Sequence, residues 1–154
     1  MKFILVVERK HLFPLAGLDP SDEMGFALAC NKLWTVHLND QNGLKFDQDK
    51  TFGSANLRGA YNQVRVLELA GYAETGRCVG LDVKAMRTQR ADAAHKHLTN
   101  SREVFLKLVE KVRAFLKDVE QQCVADRDYE ALDRFLTTGI PFVAGEPDSE
   151  ISRA

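Results

Sequence analysis

Three short apolar runs, each giving way to an acid or an imidazole, constrain this chain more than any other feature. The first lies within Lys2 to Val7; it is rich in branched side chains, fits a strand covered on both faces as in parallel sheets, and ends at Glu8 with His11 three residues later. The second, Leu33-Trp34-Thr35-Val36-His37-Leu38, is apolar until its late histidine, so His37 sits where the chain leaves the sheet. The third, Cys78-Val79-Gly80-Leu81, ends at Asp82. Glu8, His37 and Asp82 thus stand at three equivalent strand ends.

Helical segments lie between these runs. Pro20 to Lys32 opens with Pro-Ser-Asp-Glu, a helix-start composition, and carries Met24, Ala27, Leu28 and Leu33 as its apolar positions. Leu57 to Ala70 places Leu57, Tyr61, Val64, Val66, Leu67 and Leu69 at helical intervals and stops at Gly71. The longest helix is expected to start between Ala91 and Ser101 and to run to about Gln121 on a stripe from Val104 to Val119. Asn100 with Glu103 offers a capping box, while Ala93-Ala94 ahead of it is equally helical. A short helix from Tyr129 to Leu136 precedes Gly139-Ile140-Pro141, so we divide the chain into residues 1–137 and a polar tail, 138–154.

The order βαβαβα, with a ligand type at each strand's carboxyl end, is that of a (β/α)8 barrel, whose sites are built from strand ends and the loops after them. A complete barrel takes roughly 250 residues. This chain has 154 residues and offers three strands, so the expected fold is α/β, a partial (β/α)8 TIM barrel of about the last three βα units with C-terminal helices. Between the second strand and the next helix, Asp47 and Asp49 are one residue apart and point the same way in an extended loop. Parallel carboxylates repel and raise each other's pKa unless a divalent cation lies between them. Taken alone, an Asp-x-Asp in a glycine-containing loop is more often a solvated turn, and Glu8 with His11 is a surface pair.

The surrounding residues change that balance. Glu8-x-x-His11, His37 to Asp49, and Leu81-Asp82-Val83-Lys84 with Arg87-Thr88 together resemble the last three strands of the xylose isomerase family. The family's seventh-strand motif reads D-L-N-G-Q-x-G-I-K-Y-D-Q-D. This chain aligns with it without a gap, sharing Leu38, Asn39, Gln41, Gly43, Lys45, Asp47, Gln48 and Asp49 and continuing into Phe52-Gly53. The resemblance implies that Glu8 bridges two metal ions, that His11, Asp47 and Asp49 bind the metal that shifts during catalysis, and that Asp82 binds the structural one. His11 and Asp49 are the expected catalytic residues. His37 stands where xylose isomerases carry an aspartate; the related L-rhamnose isomerases are similar to this chain in having a histidine there, and its nitrogen favours Mn2+, Co2+ or Zn2+ over Mg2+. Lys84, Arg87 and Trp34 are candidate substrate contacts, with ion pairing for Lys84 and Arg87, and a place in the core or pocket wall for Trp34 and Phe52, as the plainer alternatives.

The activity implied is aldose–ketose interconversion of a small sugar with two divalent metal ions per site serving as Lewis acids. The family also uses a fifth-strand glutamate, a nearby lysine and an early-strand histidine, whose strands this sequence does not contain. The chain is therefore expected to need an N-terminal barrel half or a homo-oligomer, which would also cover open sheet edges. A non-catalytic, oligomerising fragment is a second reading. A third is another branch of the superfamily: His37-Leu38-Asn39-Asp40 is similar to the H-L-N-D of apurinic endonucleases, and Glu8-x-x-His11 to single-metal sugar epimerases. Asp47-Gln48-Asp49 argues against the former, and the shorter Asp82, where epimerases place a glutamate, against the latter.

With 21 basic and 22 acidic residues the net charge is −1, which gives no electrostatic case for nucleic acid or an anionic membrane. Phe3 to Val7 is too short for a membrane span and lacks a signal-cleavage pattern. Cys30, Cys78 and Cys123 are odd in number and widely spaced, and are expected to be reduced, buried thiols of a cytoplasmic protein. His95 and His97 are expected to face solvent on a helix.

Overall fold

The second and third apolar runs pair as a two-stranded parallel sheet, β1 (Thr35–Leu38) beside β2 (Cys78–Leu81), with Thr35 opposite Cys78 and Leu38 opposite Leu81. The structure is a computed structural model that describes residues 19–42, 48–115 and 117–138. The first apolar run, with Glu8 and His11, lies outside the described residues, as do Asp47 and the polar tail from residue 139. A parallel pair needs a crossover. Helix α2 (Leu57–Leu69) supplies it, packing against α1 (Pro20–Ala29).

Both helices start where their caps dictate. The Asp19 carboxylate accepts from the Ser21 amide at 2.9 Å, with Pro20 next in the chain, and the Asn56 side chain accepts from the Gly59 amide at 2.8 Å. Asn62 on α2 donates to the other oxygen of Asp19 at 3.0 Å, so one cap ties two helices. Helix α2 ends before Gly71, whose φ of 60° is left-handed, and a 3-10 turn at Tyr72–Thr75 leads into β2. Met24, Leu33, Val36, Phe52, Ala60 and Val64 are wholly buried and form the apolar centre of this part of the chain, with Leu38, Tyr61 and Tyr72 beside them. Burial pushes the Tyr72 phenol above its ordinary pKa, with the Arg77 guanidinium pulling it back. Its hydroxyl has no hydrogen-bond partner among the described residues.

Helix α3 (Lys96–Ala114) receives the chain that follows the β1 loop. Phe52 lies 6.4 Å from Phe105, ring centre to ring centre, and its amide donates to the Ser101 hydroxyl at 3.1 Å. Gly53 is left-handed at φ 77°, and a Cβ there would stand 2.9 Å from a Val104 methyl. Phe52-Gly53 is thus a docking plug for α3: the glycine permits the turn and the approach that seat the aromatic.

Three expectations need correction. The long helix breaks: α3 ends at Ala114 and α4 (Lys117–Asp126) follows. Its start at Lys96, after a 3-10 turn at Ala91–Ala93, falls within the expected range, and Asn100 lies inside the helix. Cys30 and Cys78 are exposed, and only Cys123 is a buried thiol. His97 is half-buried rather than solvent-facing, with Nδ1 at 3.1 Å from the Thr51 hydroxyl and Nε2 on the Gln89 side-chain oxygen. By its contacts the chain divides at Val112. In the second unit, α4 packs on α5 (Tyr129–Thr138), with Cys123 and Ala131 buried and Arg127 left-handed at φ 59° in the turn between them.

Candidate metal centre at the strand ends

The parallel register brings the two predicted donors within its reach together. His37 is opposite Gly80, and the ladder extends one step beyond β2 because the Asp82 amide donates to the Leu38 carbonyl at 3.0 Å. His37 Nδ1 then lies 4.0 Å from Asp82 Oδ2, with the two side chains 41% and 50% exposed. That separation is too long for a hydrogen bond. The pair is open to solvent and able to receive a third group.

Past β1, the described residues on either side of positions 43–47 are stapled together. Asp40 and Lys50 exchange backbone hydrogen bonds at 3.0 and 2.9 Å, and the Asn42 amide donates to the Gln48 side chain at 3.1 Å while Gln48 donates back to the Asn42 side chain at 2.8 Å. Asp40 is fully buried; one carboxylate oxygen accepts from the Gln41 amide at 2.9 Å and the other from the amides of Ala55 and Asn56 at 2.7 and 2.9 Å. Asp40 therefore serves the fold as a carboxylate turned inward onto backbone donors. This is the role of a residue by which the chain departs from the isomerase motif, and the structural use of the H-L-N-D aspartate.

Asp49 has a left-handed conformation, φ 42°, and is held from three directions. Asn39 donates to Oδ1 at 2.9 Å, the Lys84 ammonium lies 2.7 Å from Oδ2, and the Lys84 amide donates to the Asp49 carbonyl at 3.0 Å. Lys84 thereby links the segment after β2 to the one after β1. Its contact with a carboxylate was one of two alternatives legible in the sequence; Arg87 is exposed on the same segment. Trp34 is not brought to this end. It precedes β1 at the amino end of the sheet, where Arg77 stacks 4.9 Å from its ring. Asn39 was missed as a site residue, although its place in the motif beside Asp49 was the available signal.

Among the described residues no group of three or more His, Cys, Asp or Glu side chains gathers as a metal site. The donors that are described nonetheless suit a divalent ion chemically: one imidazole nitrogen, carboxylate oxygens, and the Asn39 Oδ1, which is buried and lacks a hydrogen-bond partner among the described residues. Glu8, His11 and Asp47, the other donors expected from the sequence, lie outside them. No described helix is long and apolar enough to cross a membrane.

A parallel strand pair with metal-capable side chains at adjoining carboxyl ends belongs to α/β architecture of the kind whose sites lie at those ends. No family model matches the chain. Among curated proteins, the xylose isomerase of Streptomyces lividans is 34% identical over 131 residues, covering 79% of this chain and 32% of the relative. The xylose isomerase of Thermus thermophilus is 35% identical over 106 residues, and that of Thermus caldophilus 34% over 106, each covering 69% of this chain and 27% of the relative. The chain is thus similar to xylose isomerases over most of its own length. It spans about a third or less, 27–32%, of the length of these relatives.

Proposed function

We propose that this chain is the metal-carrying C-terminal part of a sugar isomerase of the aldose–ketose type, built as the last βα units of a (β/α)8 barrel over residues 1–137. The observation that carries the reading is the β1–β2 register, which sets His37 and Asp82 4.0 Å apart at two parallel carboxyl ends, inside a sequence related to xylose isomerases. Glu8, His11, His37, Asp47, Asp49 and Asp82 would hold two divalent ions. The nitrogen at position 37 favours Mn2+, Co2+ or Zn2+. Bound metal supplies Lewis acidity toward the oxygens of an open-chain sugar. The chain's own residues position: Asn39 and Lys84 fix the Asp49 carboxylate, and His37 and Asp82 hold the facing strand ends. Lys84 and Arg87 extend from the β2 side as substrate contacts. Catalysis requires the remaining barrel strands, in a partner segment or a homo-oligomer, in the cytoplasm and without nucleic acid.

The test is metal content and size measured together. Light scattering on the purified chain, with metal analysis before and after addition of Mn2+ or Co2+, should give a defined oligomer with stoichiometric metal that Asp47→Ala abolishes. Aldoses and ketoses are then screened for interconversion. A folded chain that takes up neither ion overturns the reading.

A further inference from the structure

Gly80 occupies the centre of a β-strand, a place where glycine weakens the strand and often marks the close approach of another group. Its backbone does not require glycine, since it is not among the residues with positive φ. The reason is space. A Cβ at Gly80 would lie 3.0 Å from His37 Cδ2, closer than side-chain carbons ordinarily approach, and 3.4 Å from His37 Nε2, in ordinary contact. His37 and Gly80 are register partners in the parallel ladder and share a face, and Asp82, two residues on, continues it. The imidazole therefore rests over bare backbone at Gly80, in the lane that ends at Asp82.

We infer that Gly80 is a positioning residue that seats the His37 ring, and so decides that the end of β1 presents a nitrogen donor. A methyl at position 80 would push the imidazole off that seat by a few tenths of an ångström. An aspartate at position 37 has no atom where Nε2 stands and carries a smaller oxygen near the place of Cδ2, so alanine at position 80 crowds it less. The metal consequence rests on the proposed function: glycine at 80 selects ions that accept nitrogen over those that demand oxygen alone. The seat itself does not depend on metal.

The experiment is a double-mutant cycle of Gly80→Ala and His37→Asp in the full chain, read by thermal unfolding, by the NMR resonances of the His37 ring, and by Co2+ titration followed through its visible absorption. In the His37 background, Gly80→Ala should lower Tm, displace the ring resonances and weaken Co2+ binding about tenfold, the scale of a lost orienting contact. In the His37→Asp background the same change should leave Tm and Co2+ binding unaltered, or raise Tm. Equal losses of Tm in both backgrounds, or unmoved ring resonances, would overturn the inference. If none of the four proteins binds Co2+, the metal reading fails, while the ring resonances and the Tm coupling still judge the seat.

Discussion

The chain leaving β1 and the chain leaving β2 each carry a candidate donor, yet they are held by different means. After β1, Asn39 and Asp40 are buried, Asp40 satisfies three backbone amides, its backbone pairs with that of Lys50, and Phe52 plugs against α3. After β2, Asp82, Lys84, Met86 and Arg87 are exposed, and the Asp82 and Lys84 amides donate back to Leu38 and Asp49. The β2 end takes its position from the β1 end. The residues after β1 are thus tied by buried contacts, while those after β2 are exposed and tied to them through the Asp82 and Lys84 amides.

The sharpest way to break that contrast is to pull the plug. Phe52→Ala should cost about 3–5 kcal/mol of unfolding free energy in a denaturant titration, since a fully buried ring is lost with little means of refilling its space. Asp40→Ala should cost about 2–3 kcal/mol, because the carboxylate bonds several amides, and hydrogen exchange at Ala55 and Asn56 should accelerate. On the β2 side, Lys84→Met should change global stability by less than about 1 kcal/mol, the ammonium being half-exposed and solvent-screened. Its exchange signature should be confined to Lys84 and Asp49. A loss as large as that of Asp40→Ala would erase the difference between the two segments. The smallest effect concerns the approach to β2. The Tyr72 phenol has a folded pKa raised above its ordinary 10.0, so the folded state binds the proton more tightly. Its contribution to stability is fully present below pH 10.0 and falls as pH rises from there toward the folded pKa. Tyr72→Phe should remove that part of the alkaline decline and leave neutral stability unchanged or improved, as read from Tm against pH.

Much of this was legible in the sequence because it rests on local rules. The β2 span, the start of α2 after Asn56 and its stop before Gly71 all follow from apolar runs, caps and glycine. The strand-end placement of His37 and Asp82 follows from the same runs, and the isomerase motif from residues that align without a gap. What escaped are facts that depend on distant partners. His97 is polar on a helix, and only the return of the chain at Thr51 makes it a bridging residue. Cys78 lies in an apolar run yet is exposed, because burial depends on what covers a strand rather than on its composition. The break after Ala114 interrupts an unbroken apolar stripe, and nothing in the structure explains it. Asp40 read as one letter of an endonuclease-like tetrapeptide, whereas its carboxylate is consumed by amides some fifteen residues away.

The β1–β2 ladder joins residues 43 positions apart, as between Thr35 and Cys78, and this separation has a kinetic consequence. Closing so long a loop is an entropic cost met before the pairing rewards it, so contacts of this kind are slow to form. The His37–Asp82 gap therefore comes into being only when that closure completes, after the locally capped helices have formed. A ligand spanning the gap acts on a late step. It should slow unfolding while leaving the folding rate nearly unchanged, so that its stabilisation falls almost wholly on the unfolding arm of a chevron.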